Sequence, residues 1–338
     1  MKKIRIGNIE VNNTFLAPMA GITDLPFRLL CHEMGAGVVC MEMVSAKAIL
    51  YNNKNTEEML EIREDERPVS LQLFGSDPKI MSEIAKRIEN RPFDIIDINM
   101  GCPMPKIVNN GEGSALMKNP KLVYDIVSSI SKAISKPVTV KIRAGFDREH
   151  INAVEIAKVA EEAGAKAVAV HGRTKEQLYE GTADWNVIAE VKRAVNIPVI
   201  GNGDIVDGPS AVKMIKDTGV DGIMIGRAAR GNPWIFRDVN RYLENHYENL
   251  LSQNESNSYS LPTIGEKVEM MKRHYALLIE AKGEFIATRE MRKHIGWYTA
   301  GMPNSAAMRR KVNILEDSAT MYDFMDEICV CPCYNSIG

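Results

Sequence analysis

The sequence predicts an α/β fold, a (β/α)8 TIM barrel followed by a small all-α helical bundle. The main observation is a series of eight short runs rich in apolar and β-branched residues and punctuated by glycine or proline. The runs are TFLAPMAG from Thr14, AGVVCMEM from Ala36, PVSLQLFG from Pro68, FDIIDINMGC from Phe93, KPVTVKIRAG from Lys136, AKAVAVHGRT from Ala165, IPVIGNGDI from Ile197 and VDGIMIGRAARGNP from Val220.

Amphipathic helical patterns separate these runs, as in DPKIMSEIAKRIEN, NPKLVYDIVSSISKAI and HINAVEIAKVAEEAG. Strands that alternate with helices and are apolar on both faces belong to parallel sheets. An open dinucleotide-binding sheet would carry G-x-G-x-x-G after its first strand, and APMAGITD lacks that pattern. Eight strand–helix units therefore favour the closed barrel.

The pattern changes after Trp234, where no further strand signal occurs. IFRDVNRYLENHYENL reads as a helix, LSQNESNSYSLPT as a polar linker, and the segments from Ile264 onward as helices of a small bundle. The predicted divisions are a catalytic barrel over 1–240, a helical extension and linker over 241–263, a helical domain over 264–328 and a disordered tail over 329–338.

Composition indicates a cytoplasmic protein. The formal net charge is −2, so any nucleic-acid surface must be local. The first residues, MKKIRIGNIEVNN, lack the apolar core of a secretory signal, and no run approaches the length of a membrane span. The tail cysteines Cys329, Cys331 and Cys333 have no fourth ligand beside them, so no metal site is predicted. A monomer without an obligate protein partner is expected.

Polar residues follow most of the predicted strands at their carboxyl ends, which is where barrel enzymes place their active sites. Each has an ordinary structural explanation, such as a buried amide bonded to backbone, but together they indicate a site. The polar residues are Gln72, Asn99, Cys102, Lys141, Arg143, His171, Arg173, Thr174, Asn202, Asp204 and Arg227, and the candidate positions beside them without a polar side chain are Pro18, Met19, Ala20, Gly203 and Gly226.

The glycine-rich turns GNGDI and GRAARGNP follow the last two strands, where barrels commonly bind phosphate. The turns alone leave open whether that phosphate belongs to a substrate or to a cofactor such as FMN. Gln72 and Lys141 favour a flavin, because its ring needs an amide partner at the pyrimidine edge and a cation near N1.

Taken together, the motifs resemble the tRNA-dihydrouridine synthases, in particular their bacterial DusB-like branch. The resemblance rests on APMAGITDLPFR, QLFGSDP, DINMGCPMPKIVNNGEGSALM, VTVKIRAGFD, HGRTKEQLYEGTADW, IPVIGNGDI, GIMIGRAARGNPWIF and, in the helical segment, REMRKHIGWY. It implies FMN-dependent reduction of the C5–C6 double bond of selected tRNA uridines, with NADPH, or else NADH, as electron donor.

The resemblance also assigns roles to residues. FMN would be held by Pro18, Met19, Ala20, Gln72, Lys141, His171, Asn202, Gly203, Asp204, Gly226 and Arg227. Cys102 would be the general acid that protonates C5 while hydride enters at C6. Substrate contacts are expected from Asn99, Arg143, Arg173 and Thr174 in the barrel and from Arg289, Arg292 and Lys293 in the helical domain.

The segment from Arg289 to Lys311 is rich in basic residues, and His294, Trp297 and Tyr298 lie among them as candidates for stacking on bases. Two alternatives stay open. One is a dihydroorotate or dihydropyrimidine dehydrogenase-like flavin barrel that acts on a free pyrimidine and needs no RNA-binding domain. The other is an RNA-binding protein whose barrel has lost its activity.

Overall fold

A short antiparallel hairpin precedes the barrel in the computed structural model, which describes residues 2–247 and 261–330. Its strands are β1 (Lys3–Ile6) and β2 (Ile9–Asn12), and Gly7 at the turn has a φ of +61°. The buried hairpin residues Ile4, Ile6 and Val11 share one apolar cluster with residues that begin barrel strands, such as Ile95 and Ala167. The hairpin therefore covers the amino-terminal end of the barrel. This hairpin was not predicted from the sequence.

The barrel is a closed parallel sheet of eight strands, which confirms the predicted fold class. The strands pair in the order β4-β3-β11-β10-β9-β8-β7-β6, and a β4–β6 pairing closes the ring. A two-residue strand, β5, also pairs with β6. The strands are β3 (Thr14–Leu16), β4 (Val38–Cys40), β5 (Val44–Ser45), β6 (Val69–Phe74), β7 (Ile95–Met100), β8 (Val138–Arg143), β9 (Ala167–His171), β10 (Val199–Asn202) and β11 (Gly222–Ile225).

Helices connect the strands, and most begin at a side chain that accepts a backbone N–H. Asp77 and Asn119 cap their helices in this way and are each followed by proline, whose fixed φ suits the first helical position. The helices of this part are α1 (Leu25–Glu33), α2 (Ala46–Leu50), α3 (Lys54–Met59), α4 (Pro78–Ile88), α5 (Pro105–Val108), α6 (Pro120–Ala133), α7 (Ala153–Glu162), α8 (Trp185–Ala194), α9 (Gly208–Thr218) and α10 (Ile235–Tyr247).

The carboxyl-terminal part is helical, as predicted: α11 (Ile264–Lys282), α12 (Glu284–Tyr298), α13 (Ser305–Val312) and α14 (Ser318–Val330). Thr263 and Glu266 form a capping box at the start of α11, and Gly283, with a φ of +75°, separates α11 from α12. Helix α14 includes Cys329, so the expected disordered tail does not begin at 329. The rest of that tail, and most of the predicted linker, lie outside the described residues.

The chain divides into two compact units. The barrel unit comprises Met1–Arg227 and Phe236–Leu251, and the helical unit comprises Ala228–Ile235 and Ser252–Gly338. The eighth strand–helix connection thus groups with the helical unit rather than with the barrel. Among the described helices, none is long and apolar enough to cross a membrane.

Candidate active site

The interior side chains of β6, β7 and β8 form two polar layers, because residues paired in register lie at the same height in a parallel barrel. Asp97 is in register with Gln72 on one side and with Thr139 on the other. Two residues further along β7, Asn99 is in register with Lys141. Alternation along a strand directs Asp97 and Asn99 to the same face. The predicted site residues of these strands therefore meet inside the barrel.

Cys102 lies in the loop that follows β7, and its backbone is fixed by hydrogen bonds. Asn99 Oδ1 accepts the amide of Cys102 at 2.9 Å and that of Gly101 at 3.2 Å. Arg143 Nε donates to the Gly101 carbonyl at 2.7 Å. A Cβ atom on Gly113, which has a φ of +60°, would lie 2.9 Å from the Cys102 carbonyl oxygen. The thiol thus sits in a loop that is closely packed on two sides.

Burial keeps the Cys102 thiol protonated. The side chain is 9% exposed, and desolvation raises the pKa of the thiol above its ordinary value, although Arg143 and Lys141 oppose this shift. A thiol in this state is a poor nucleophile at neutral pH but holds a transferable proton. Its state fits the predicted general acid.

Four cations surround His171 at the carboxyl end of β9. The pKa of His171 is lowered to about 2, mainly by desolvation. The positive charges of Lys141, Arg143, Arg173 and Arg227 lower it further. The imidazole is therefore neutral. Burial, then repulsion from Arg143, lowers the pKa of Lys141 to about 8. Such a concentration of positive charge suits an anionic ligand.

The Lys141 ammonium group is oriented by Asn202. Its Nζ donates to Asn202 Oδ1 at 3.2 Å, and Asn202 Nδ2 donates to the Met224 carbonyl at 2.8 Å. Since the carbonyl can only accept, it fixes which way the Asn202 amide faces. Asn202 thereby connects β8, β10 and β11 at the predicted cofactor site.

Two of the predicted substrate contacts are bound to the protein itself. The Arg173 guanidinium is buried and donates to both carboxylate oxygens of Asp204 at 2.8 Å. Arg143 donates to the carbonyls of Thr174 and Leu178 at 2.8 and 3.0 Å. The structure shows that these arginines hold the loop after β9, and their contact with substrate stays a prediction. Asp204, predicted to bind the cofactor, is therefore engaged by Arg173 and also forms an ion pair with Arg227 at 3.2 Å.

The loop after β3, which carries the predicted residues Pro18, Met19 and Ala20, is held from within. The Met19 amide donates to Thr23 Oγ1 at 3.0 Å, and the Gly21 amide donates to Glu42 Oε2 at 2.5 Å. Thr23 is in turn bonded through its carbonyl to the buried Arg28. These contacts give the loop a fixed shape at the rim of the barrel.

The two glycines predicted to hold the anion, in the loops after β10 and β11, differ in how much room they leave. Gly203 has a φ of +118°, and a Cβ atom there would lie 2.7 Å from Ala183 Cβ and 3.0 Å from His171 Cδ2. A Cβ on Gly226 would meet Ala17 and Met19 at ordinary contact distances, so this position is less restricted. The φ of Gly203 and its close neighbours therefore require a residue without a side chain at this turn, which agrees with its predicted place in the anion-binding loop.

Asp97 and Thr139 were not predicted as site residues. Asp97 is buried and accepts from Gln72 Nε2 at 2.7 Å and from Thr139 Oγ1 at 2.6 Å. A detectable signal existed, because aspartate is depleted in strands and Asp97 stands two residues before Asn99 on the same face. Gln72, predicted as a flavin partner, has one donor engaged by Asp97 and accepts from Asn99 Nδ2 at 2.8 Å.

The basic residues of α12 belong to the helical unit and have mixed environments. Arg289 is exposed and its guanidinium lies 3.4 Å from the centre of the Phe285 ring. Arg292 is half-buried and donates to the Leu315 carbonyl at 2.5 Å, so it supports the bundle. Lys293 lies 3.9 Å from Glu290. The contact of these three residues with substrate stays a prediction.

The expected stacking on bases is wrong for two of the three aromatic candidates. His294 and Tyr298 are buried in the helical unit, with exposed fractions of 0% and 1%. Trp297 is half-buried and packs edge-on against His294. These rings form the core of the bundle because α12 presents them to its neighbours.

The fold and the site define a (β/α)8-barrel enzyme with its reactive groups at the carboxyl ends of the strands. The dihydrouridine synthase family model matches residues 15–330. tRNA-dihydrouridine synthase B of Pseudomonas putida is 42% identical over 94% of this chain and 92% of its own length. A probable tRNA-dihydrouridine synthase of Rickettsia conorii is 42% identical over 93% of this chain and 92% of its own. The chain belongs to the dihydrouridine synthase family.

Solved structures with the same barrel are more distant in sequence. A 2-naphthoyl-CoA reductase matches with a TM-score of 0.57 at 12% identity, over 71% of this chain and 52% of that one. A histamine dehydrogenase from a Rhizobium species matches with a TM-score of 0.53 at 14% identity, over 73% of this chain and 47% of that one. The chain spans about half the length of these two proteins, and they support the fold alone.

Proposed function

We propose that this chain reduces uridines in tRNA to 5,6-dihydrouridine, with FMN as the bound cofactor and NADPH as the preferred source of electrons. Family membership supports the reaction. The observation that carries the mechanism is the combination of a protonated, buried thiol at Cys102 with a cluster of cations around the neutral His171. The thiol supplies a proton, and the cations suit a cofactor with a phosphate and an anionic reduced ring.

The residues of the barrel mouth fit FMN. Lys141 is a half-buried cation whose pKa is lowered by desolvation and by repulsion from Arg143, so an anionic ring beside it would stabilise its charge. Gln72 retains one amide N–H and a second lone pair beyond its bonds to Asp97 and Asn99, enough to pair with a pyrimidine edge. Gly203, Gly226 and Arg227 would hold the phosphate.

Reduced FMN, held by residues such as Gln72, Lys141 and Arg227, would supply a hydride for C6 of the uracil. Cys102 delivers the proton from Sγ to C5, so that the C5–C6 double bond gains one hydride and one proton. Its raised pKa keeps that proton on sulfur until the base accepts it. Asn99 and Arg143 hold the Cys102 loop in place during this transfer.

A decisive experiment compares Cys102→Ala with Cys329→Ala, since Cys329 is exposed and lies in the helical unit. Cys102→Ala should retain FMN and oxidise NADPH at nearly the wild-type rate but form dihydrouridine in tRNA at least about 100-fold more slowly. Cys329→Ala should resemble the wild type. If Cys102→Ala loses its flavin, the residue is structural. If free uracil or orotate is reduced as fast as tRNA, the substrate is a free pyrimidine instead.

The tRNA substrate must present an extruded uridine, because a base within a folded RNA cannot reach the interior of a barrel. We infer that the helical unit supplies phosphate contacts, with Arg289 and Lys293 from α12 and the exposed Arg309 and Arg310 from α13. Arg292 is better explained as a support for the bundle, because it binds the Leu315 carbonyl.

The tRNA interface is tested by reversing charge on α13. The double variant Arg309→Glu with Arg310→Glu should weaken tRNA binding about tenfold or more. The slope of log affinity against log salt concentration should become shallower by an amount equivalent to about two phosphate contacts. Lys79→Glu with Lys86→Glu, exposed on α4 of the barrel, gives the matched change of charge. Equal effects of the two double variants would show a response to net charge rather than a local interface.

A further inference from the structure

A continuous line of hydrogen bonds runs from the barrel interior to the Cys102 loop. It begins at Asp97, which accepts from Gln72 Nε2 at 2.7 Å. Gln72 Oε1 accepts from Asn99 Nδ2 at 2.8 Å, and Asn99 Oδ1 accepts the amides of Gly101 and Cys102. Asp97, Gln72 and Asn99 are all buried, so water does not compete for these bonds.

The direction of this line is fixed from both ends. Backbone N–H groups only donate, so the oxygen of Asn99 must face the loop and its nitrogen must face Gln72. Gln72 must then accept with its oxygen, which leaves its nitrogen for Asp97. The carboxylate of Asp97 can only accept, so it requires the nitrogen of Gln72 to face it. This is the same Gln72 orientation that the backbone amides of the loop impose through Asn99. A reversed Gln72 amide would place its oxygen against the Asp97 carboxylate and its nitrogen against Asn99 Nδ2, and neither hydrogen bond could form.

We propose that Asp97 is a positioning residue that sets the amide orientations of Gln72 and Asn99 and thereby places Cys102 opposite the cofactor. The inference deepens the proposed function and rests on it for the role of Cys102. Because Gln72 is also the predicted partner of the flavin, one buried carboxylate orients both the hydrogen-bonding edge that meets the ring and the loop that carries the proton.

The carboxylate is costly where it stands, which argues against a purely structural role. Desolvation raises the pKa of Asp97, whereas hydrogen bonds from Gln72 and Thr139 and the charge of Lys141 lower it. An apolar side chain of similar size would avoid this desolvation. What the apolar side chain would lose is the acceptor that fixes Gln72.

The test uses Asp97→Leu, which removes the acceptor while nearly preserving volume, and Asp97→Asn as the conservative variant. The amide of Asp97→Asn can still accept from Gln72, because the Thr139 hydroxyl can reverse and accept the amide nitrogen of the new side chain. Thr139→Val is the matched control, since it removes the other hydrogen bond of Asp97 and leaves the line intact. The main readout is alkylation of Cys102 by iodoacetamide in FMN-free protein, quantified on the Cys102 peptide, which does not require activity.

In Asp97→Leu, alkylation of Cys102 should rise about fivefold as the loop loosens, FMN should bind about tenfold more weakly, and kcat for dihydrouridine formation should fall with little change in KM for tRNA. Asp97→Asn should recover most of each effect, and Thr139→Val should stay within about twofold of the wild type. If Asp97→Asn is as impaired as Asp97→Leu, the charge matters rather than the hydrogen bond, and the proposal is overturned. Wild-type alkylation in Asp97→Leu would overturn it as well.

If Asp97→Leu does not fold, Gln72→Met decides, because it interrupts the same line at the next residue while keeping Asp97 and its hydrogen bond from Thr139. A rise in Cys102 alkylation of about fivefold supports the proposal, and an unchanged rate refutes it. A wild-type protein that forms no dihydrouridine in tRNA would refute the proposed function, whereas the alkylation comparison would still decide whether Asp97 positions Cys102.

Discussion

Replacement of Lys141 by methionine should make the FMN-free protein more stable. Burial, with repulsion from Arg143, lowers the pKa of Lys141 from 10.5 to about 8. That difference corresponds to roughly 3 kcal/mol by which the folded state disfavours the charged amine at neutral pH. Methionine has a similar length and no charge, and it loses one hydrogen bond to Asn202, worth about 1 kcal/mol. The free energy of unfolding should therefore rise by about 2 kcal/mol at pH 7.

The gain should also depend on pH. The folded pKa of Lys141 lies below the unfolded one, so between about pH 8 and 10.5 the unfolded chain binds the additional proton. Wild-type stability should rise relative to the variant by about 1.4 kcal/mol per pH unit across that window, closing the difference. Urea denaturation at pH 7 and at pH 10 measures both quantities. Lys192→Met, which breaks an ion pair with Asp221, is the control and should not stabilise.

The reasoning is refuted if Lys141→Met is no more stable than the wild type at pH 7, or if the difference is the same at both pH values. The variant should at the same time lose FMN, since the cation is proposed to compensate the reduced ring. A variant that is more stable and still binds FMN as tightly as the wild type would show that Lys141 has no part in the cofactor site.

Three further predictions concern packing and pH. Glu66→Gln should destabilise the protein by roughly 3 kcal/mol in urea denaturation, because it leaves the buried Arg28 without its carboxylate partner; a loss below about 1 kcal/mol would contradict this. Gly203→Ala should weaken FMN binding at least about tenfold, since its Cβ would clash with Ala183; unchanged affinity would remove this turn from the site. Burial lowers the pKa of His294, so the protection factors of the α12 amides, which are corrected for the intrinsic pH dependence of exchange, should fall as the pH drops below about 6.5; His294→Phe should abolish this loss of protection, and an identical pH response of the variant would contradict the prediction.

The barrel was predictable because most of its strands read as short apolar or β-branched runs, which is typical of strands buried on both faces. The β11 segment GIMI is apolar and entirely buried, whereas the β7 segment IIDINM and the β8 segment VTVKIR place polar residues among apolar ones and are still almost entirely buried. The amino-terminal hairpin escaped prediction because its strands have only four residues each, and its turn, Gly7-Asn8, is not distinguished from an ordinary loop without the partner surface. The end of α14 was missed for a related reason: the cysteine-rich composition of the tail says little about where helical hydrogen bonding stops.

At the site, residue type and strand position identified which side chains gather, but not what each one binds. Arg143 and Arg173 read as substrate contacts because arginine at a strand end suits phosphate, yet their guanidinium groups are bound to the protein's own carbonyls and to Asp204. Asp97 shows the converse. The sequence marks Asp97 as an unusual residue for a strand but does not assign it a role, because that role depends on which way two amides face. Those orientations follow from the hydrogen bonds of a loop that only the folded barrel brings to Asn99. Partners of this kind must be read from the structure.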